Sequence, residues 1–171
     1  ARREIQAALE SGDADLYEAG LRAICNWPNA TVSEQLLELS EEAESATHRL
    51  WALRAFIRVI ALPGDMPDTQ KLNLLKKAMQ RAARDDERNL VLQRVSAVRT
   101  VEALRFLLPY LNQPSLAQTA GASITELGRH KELRDPNKAE IIPALEKVIT
   151  TNNNQTTVEQ ARRHIQAANE K

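Results

Sequence analysis

The sequence predicts an all-α fold, and three observations lead to that prediction. Alanine, leucine, glutamate, glutamine and arginine dominate the 171 residues, and these are good helix formers. Glycine occurs only 5 times and aromatic residues make up 4%, which disfavours sheets because strands and hairpins depend on both. Apolar residues recur at i, i+3 and i+4 along most of the chain. We therefore expect about ten helices joined by mostly short loops, and no strand.

The most apolar run is residues 50–62, with the sequence LWALRAFIRVIAL. Polar side chains of this region fall on one narrow stripe of a helical wheel, where Thr47, Arg54 and Arg58 lie within about 40° of one another. We interpret the run as a buried helix over about residues 46–61, flanked by shorter and more amphipathic helices.

Three helices are expected before this run, and each has a local start or stop signal. The first covers residues 2–9 and is stopped by the Ser-Gly-Asp segment that follows it. Asp13 or Asp15 caps the second, which continues to about residue 26 and is ended by Pro28. Ser33 begins the third, whose leucines face inward and whose glutamates face outward.

Two prolines and a glycine at residues 62–67 mark the clearest break in the chain. Beyond it, Pro109 should kink the helix that Thr100 caps. Residues 130–137 are expected to form a loop, in which Asp135 and Pro136 serve as cap and first helical position. The helices predicted after the break cover residues 70–83, 85–97, 100–111, 115–128, 141–149 and 156–168.

Composition and charge narrow the classes of function. The 23 basic and 23 acidic residues give a net charge of zero, which removes the global electrostatic argument for nucleic acid or acidic membranes as partners. No apolar run approaches the ~18 residues of a membrane span. The chain is long enough for one domain with a real core, and we expect residues 1–171 to form a single domain.

The start of the chain suggests a piece of a longer protein. It lacks an initiator methionine, and its first ten residues are charged and amphipathic rather than typical of a signal peptide. We interpret the chain as a fragment of a multidomain protein or a processed form. The compartment stays undetermined, with a bacterial periplasmic or other extracytoplasmic location as one expectation.

A weak repeat underlies the helices. The tripeptide Leu-Arg-Ala at residues 21–23 recurs 32 positions later. Arg22, Arg54 and Arg94 each fall eight positions after the start of the second helix of a predicted pair, and Ser123 takes that place in the fourth pair. Steps of 29 to 42 residues between pairs are typical of tandem helical hairpins, which bury their apolar faces by stacking.

The residues of the first repeat carry a resemblance to a known family. The pattern D-x-x-x-A-x-LRA-I-x-x-W-P from Asp15 to Pro28, and the later segment ATHRLWALRAFIRVIALPGD, resemble HEAT-type repeats. More narrowly, the chain is similar to bacterial HEAT-like segments of multidomain proteins, which neighbour sugar-active or cytochrome-type modules. The resemblance covers about residues 14–168. It implies a right-handed α-solenoid of four to five hairpins and brings no shared catalytic residues.

Residues with metal or catalytic chemistry are few. Glu44 with His48 and Glu126 with His130 are i, i+4 pairs, too few to hold a metal, so we expect the histidines to be solvated. Cys25 is expected to be a small core residue, without a cationic neighbour that would lower its pKa. No phosphate loop, nucleotide fingerprint, nucleophile elbow or paired CxxC occurs. We therefore predict no cofactor, metal or catalytic residue.

The arginines form the most informative pattern. If the repeats stack in register, Arg22, Arg54 and Arg94 line up along one face, with Arg58 beside them. One hypothesis is a basic ridge that grips carboxylates or phosphates of a partner. The alternative is a structural ladder, in which each arginine pairs with an acidic residue or a helix-end carbonyl of the next repeat.

Three functions fit these observations. The first is a non-catalytic protein-interaction or scaffold module, which binds a protein or an adjacent domain of the same chain through an extended solenoid surface. The second is an accessory domain of a carbohydrate-active enzyme. The third, a HEAT-like nucleic-acid-binding or DNA glycosylase-type domain, is disfavoured because the net charge is zero and aromatic residues are scarce.

Overall fold

The computed structural model describes residues 2–170 and shows an all-helical chain. Within these residues there are eleven α-helices and two short 3₁₀ helices, with 78% of the chain helical and no strand. The all-α prediction is confirmed. The α-helices are α1 (Arg2–Leu9), α2 (Ala14–Cys25), α3 (Ser33–Glu42), α4 (Ala46–Ile60), α5 (Asp68–Arg81), α6 (Asp85–Val95), α7 (Val101–Leu107), α8 (Ala117–Arg129), α9 (Lys131–Arg134), α10 (Lys138–Thr151) and α11 (Gln155–Asn169).

The chain separates into two compact units at the break that the prolines predict. Unit 1 ends at Met66 and contains α1 to α4, and unit 2 begins at Pro67 and contains α5 to α11. No helix among residues 2–170 is both long enough and apolar enough to cross a membrane.

Unit 1 is built from two helical hairpins. Helix α1 packs on α2, α3 packs on α4, and α2 also contacts α4. The carboxylate of Asp13 caps α2 by accepting hydrogen bonds from the backbone N–H groups of Asp15 and Leu16 at 2.9 and 3.0 Å. Helix α4 supplies most of the core, as its apolar sequence predicts, and its buried residues are Ala52, Leu53, Ala55, Phe56, Ile57, Val59 and Ile60.

Unit 2 is organised around α8, which packs against α6, α10 and α11. Small residues allow the close approach, and the buried Gly121 and Gly128 meet side chains of Asn152 and Leu145. Ionic and hydrogen-bonded links join further elements, among them the two bonds at 2.7 Å that the guanidinium of Arg105 donates to Glu140. Helix α8 is therefore the element on which the packing of unit 2 depends.

Two local predictions in unit 2 are wrong. Pro109 does not kink a continuing α-helix, because α7 ends at Leu107 and the chain goes on as a 3₁₀ helix (Leu108–Asn112). A proline cannot donate the hydrogen bond that the α-helix needs at this position. Residues 130–137 are not all loop, since α9 lies within them and buries Leu133. Asp135 and Pro136 accordingly precede the start of α10, where Asn137 is the cap.

Candidate functional site

An open pocket of about 340 Å³ lies on unit 1 where α2 and α4 run side by side. Three of the four arginines singled out from the sequence contribute to its wall. The lining residues are Arg22, Cys25, Asn26, Trp51, Arg54, Ala55 and Arg58. We call this pocket the basic pocket.

The repeated Leu-Arg-Ala motif explains how the arginines reach the pocket. Leu21 and Leu53 are buried in the core of unit 1, at 0% and 7% exposure. Arg22 and Arg54, one residue further along each helix, are exposed. Since consecutive residues of a helix are about 100° apart, a buried leucine turns the next side chain to the surface. The motif thus supplies one core anchor and one surface cation per helix.

Arg58 has a structural role in addition to its place in the pocket wall. Its Nη2 donates hydrogen bonds to the carbonyl oxygens of Cys25 and Trp27, at 2.9 and 2.8 Å. These carbonyls belong to the end of α2 and the turn after it, where main-chain acceptors lack helical partners. For this residue the geometry matches the ladder hypothesis, in which an arginine satisfies helix-end carbonyls of the neighbouring hairpin.

Arg22 is oriented by a carboxylate and by an aromatic ring. Its Nε and Nη2 donate to Oε1 of Glu18 at 3.0 and 2.6 Å, and its guanidinium carbon lies 4.9 Å from the centroid of the Trp51 ring. The Arg22 and Glu18 side chains remain 62% and 43% exposed. Exposed ion pairs of this kind are weak, at ~0–1 kcal/mol, so the pair can open at little cost.

Trp51 belongs to a row of rings that the sequence did not reveal. The ring centroids of Tyr17 and His48 are 5.6 Å apart, and those of His48 and Trp51 are 5.4 Å apart. Trp51 thus packs between His48 and the guanidinium of Arg22. His48, Trp51 and Arg54 follow one another at i, i+3 spacing, so each is a surface neighbour of the next on α4. This spacing is the sequence signal for the contact between His48 and Trp51.

Cys25 lines the pocket as a free, partly buried thiol. Burial raises the pKa of the thiol to about 11, although the nearby charge of Arg58 acts in the opposite direction. The expectation that Cys25 has no cationic neighbour was wrong. Arg58 is 33 residues away in sequence, but the fold brings its charge close to Cys25. The thiol is nevertheless protonated at neutral pH, which is the opposite of an activated nucleophile.

Arg94 lies in unit 2, where it is exposed on α6. The proposed extension of the basic ridge to Arg94 stays a prediction. The equivalent residue in the next hairpin, Ser123, is buried, and its hydroxyl donates a hydrogen bond of 2.9 Å to the carbonyl of Leu92. Where the predicted register has serine instead of arginine, the side chain is buried and links α8 to α6.

The histidines are less solvated than expected. The side chain of His130 is only 13% exposed, with Nε2 at 3.6 Å from Oε1 of Glu126, and His48 and His164 are half-buried. Burial lowers the pKa of His130 and of His164, and neighbouring arginines lower it further. Among residues 2–170, no group of three or more His, Cys, Asp or Glu side chains could hold a metal ion.

A second, acidic pocket of about 860 Å³ adjoins the aromatic row on unit 1. Its carboxylates come from Asp13, Glu18, Glu42 and Glu44, with Tyr17 and His48 beside them. Asp13 is committed to capping α2. Glu18 lines this pocket, and it also accepts hydrogen bonds from Arg22 of the basic pocket. The charge of the lining side chains therefore changes from positive to negative across the Arg22–Glu18 ion pair.

No protein-family model, curated protein or solved structure matches this chain.

Proposed function

We propose that this chain is a non-catalytic interaction module whose basic pocket binds an acidic segment of a protein. The partner is a separate protein or another domain of the same polypeptide. The observation that carries the proposal is the convergence of Arg22, Arg54 and Arg58 on one open pocket. Guanidinium groups bind carboxylates with two parallel hydrogen bonds and keep their charge at every physiological pH.

The Arg22–Glu18 pair supports a carboxylate as the natural ligand of this pocket. Glu18 already occupies Arg22 through two hydrogen bonds, and the pair is largely exposed to water. A carboxylate from a partner can replace Glu18 without loss of hydrogen bonds at Arg22. The contact with the Trp51 ring holds the guanidinium of Arg22 near the pocket during this exchange, which reduces the entropy lost on binding.

We further infer that the hairpins belong to a HEAT-like solenoid, as the repeated motif implies. Hydrogen bonds between residues about one repeat apart support this inference. Within unit 1 the bond from Arg58 to Cys25 spans 33 residues, and within unit 2 those from Ser123 to Leu92 and from Asn152 to Gln118 span 31 and 34. Such bonds are expected where each repeat contacts its neighbours.

The other two functions have less support at this pocket. Sugar rings and nucleobases stack on open aromatic faces. Trp51, the aromatic residue among the described lining residues, already contacts the guanidinium of Arg22 and the tilted ring of His48. The chain as a whole carries no net charge that would attract a nucleic acid backbone. An acidic protein segment fits the arginines without requiring either feature.

The proposal is tested by fluorescence anisotropy with a labelled peptide of aspartate and glutamate spaced by glycine and serine. A peptide with asparagine and glutamine in place of the acids is the neutral reference. Arg54→Gln and Arg22→Gln should each weaken binding of the acidic peptide by about tenfold, which corresponds to ~1.4 kcal/mol. The affinity should also fall as salt is raised, because the arginines and the peptide are solvent-exposed.

Arg3→Gln is the matched control, since Arg3 is an exposed arginine of unit 1 on α1 and is not a lining residue of the basic pocket. It should leave the affinity unchanged. Equal binding of the acidic and neutral peptides would contradict the proposed function, as would equal effects of Arg3→Gln and Arg54→Gln. Tighter binding of a labelled oligonucleotide than of the acidic peptide at low salt would favour the nucleic-acid alternative.

A further inference from the structure

We propose that the acidic segment carries one bulky apolar side chain next to its carboxylates, and that this side chain enters the basic pocket. The inference rests on the proposed function and adds the class of partner sequence that the pocket selects. The partner chemistry is a leucine or phenylalanine within about one helical turn of two or more acidic residues.

The first observation is that the pocket joins apolar and cationic surface. Trp51, Ala55 and the protonated thiol of Cys25 contribute uncharged surface between the two helices, while Arg22, Arg54 and Arg58 bring the charge. The aliphatic stem of an arginine adds apolar surface beneath its guanidinium. A polyanionic ligand without apolar groups would leave the uncharged surface in contact with water.

The second observation is the size of the space. A volume of about 340 Å³ is near the lower end of the range of ligand sites in proteins, ~300–1,000 Å³. Such a volume admits one large side chain together with part of the segment that carries it. Binding segments of this type commonly place one apolar anchor in a pocket, with polar contacts around it.

The third observation is that the walls are held in place before any ligand binds. Contacts with the tilted ring of His48 and with the guanidinium of Arg22 hold the Trp51 ring, and two main-chain carbonyls hold the guanidinium of Arg58. Rigid walls favour a buried anchor because little side-chain entropy is lost on binding. Because Arg22 and Arg58 are contributed by different helices, carboxylates on either side of the anchor can reach a guanidinium.

The experiment compares three labelled peptides on the unmodified chain, so that no variant has to fold. The first carries acidic residues around a central leucine, the second carries the same acids around alanine, and the third carries asparagine and glutamine around leucine. The leucine-centred acidic peptide should bind about tenfold more tightly than the alanine-centred one, because a buried leucine side chain removes apolar surface from water.

The position of the anchor is measured by tryptophan fluorescence in Trp27→Phe. The chain has two tryptophans, so Trp51 is then the single reporter. Trp27 is a suitable residue to replace. The hydrogen bond from its ring Nε1 to Thr31 Oγ1 is exposed, and Arg58 binds the main-chain carbonyl of Trp27, which phenylalanine retains. The leucine-centred acidic peptide should shift the Trp51 emission, and the alanine-centred peptide should shift it much less.

The outcomes separate this inference from the proposed function. If the two acidic peptides bind equally, the apolar anchor is wrong and the binding of acidic segments stands. If neither acidic peptide binds, or if the neutral leucine peptide binds as tightly as the acidic one, the proposed function is wrong and the inference falls with it. An unchanged Trp51 emission with the leucine-centred acidic peptide bound would place the anchor outside the basic pocket and overturn the inference.

Discussion

Arg58 ties α4 to the end of α2 through the main chain of Trp27, whose carbonyl oxygen accepts a hydrogen bond of 2.8 Å from Nη2 of Arg58. The same nitrogen donates to the carbonyl of Cys25 at 2.9 Å. Both acceptors are partly buried and lie where α2 has ended, so the guanidinium takes the place of the next turn of helix. One arginine thereby contributes to the stability of unit 1 as well as to the wall of the basic pocket.

The first prediction separates the structural arginine from the exposed one. Arg58→Ala should lower the free energy of unfolding by about 1.5–3 kcal/mol, because two carbonyls lose a charged donor. Arg22→Ala should cost less than about 1 kcal/mol, because its ion pair with Glu18 is exposed. Urea unfolding of both variants beside the parent chain measures the difference.

Arg58→Lys serves as the control for charge. A lysine keeps the cation but cannot reproduce the geometry of a planar guanidinium between two carbonyls, so we expect it to recover only part of the lost stability. Equal destabilisation by Arg58→Ala and Arg22→Ala would show that the main-chain bonds contribute little.

The second prediction concerns Glu18 as an internal competitor for Arg22. Glu18→Gln removes the carboxylate that Arg22 holds at 2.6 Å and frees the guanidinium for a ligand. The acidic peptide should then bind several-fold more tightly, since a local negative charge has also been removed. Anisotropy titration gives the change, and Glu34→Gln, an exposed glutamate at the start of α3, is the matched control. Weaker binding by Glu18→Gln would argue that the ion pair orients Arg22 rather than blocks it.

The third prediction tests the packing of unit 2 at Gly121. A Cβ at this position would lie 2.5 Å from Nδ2 of Asn152. Asn152 cannot move freely, because its amide donates to the carbonyl of Gln118 at 3.0 Å and its Oδ1 accepts from the N–H of Asn154 at 2.9 Å. Gly121→Ala should therefore lower the free energy of unfolding by about 1–3 kcal/mol.

Gly64→Ala is the matched glycine substitution. An added Cβ at Gly64 meets nothing within 4 Å, and no described glycine has a positive φ. We expect a neutral effect or a gain of up to about 1 kcal/mol, because alanine restricts the unfolded chain. Similar thermal melting temperatures for the two variants would be inconsistent with a steric role for Gly121.

Local sequence signals predicted the helices well where the signal lies within the helix itself. The apolar run at residues 50–62 led to α4. Thr100 was identified as the cap of α7, and Asp13 was one of two candidates for the cap of α2; each has a side-chain oxygen that accepts from the first turn of its helix. The prediction failed where a helix is stabilised by burial against other parts of the fold and not by its own sequence. Helix α9 was missed because the stability of its four residues comes from the burial of Leu133 and Arg134.

The site was harder to predict than the fold, because a helical wheel describes one helix at a time. The helical wheel placed Arg54 and Arg58 on one side of α4, and both side chains line the basic pocket. It could not show that the ring of Trp51 meets Arg22 of α2, or that Arg58 reaches the carbonyl of Cys25. Those relations depend on how two hairpins approach each other, and such contacts join residues about 30 positions apart.

The fourth prediction concerns the reactivity of Cys25. With the pKa of the thiol raised to about 11 by burial, the thiolate fraction at pH 8 is about 100-fold below that of an ordinary cysteine thiol. Iodoacetamide should modify the folded chain correspondingly slowly and the urea-unfolded chain at the normal rate. Because the sequence has a single cysteine, intact mass reports the reaction directly. Equal rates for the folded and unfolded chains would contradict a partly buried, protonated thiol.

The fifth prediction is a loss of stability at mildly acidic pH that depends on His164. Burial lowers its pKa in the folded chain, and Arg134, Arg163 and Arg129 lower it further against the opposing effect of Glu126. The unfolded chain therefore binds a proton near pH 6.5 that the folded chain does not yet bind, so stability falls as the pH drops through that value and levels off below the folded pKa. His164→Gln should lose less stability than the parent chain between pH 7.5 and 5.5, as measured by urea midpoints.

His130 adds to the same trend because its pKa is also lowered. The urea midpoint of the variant that lacks both histidines should therefore depend even less on pH. Parallel midpoint curves for the parent and His164→Gln would show that the proton uptake on unfolding occurs elsewhere.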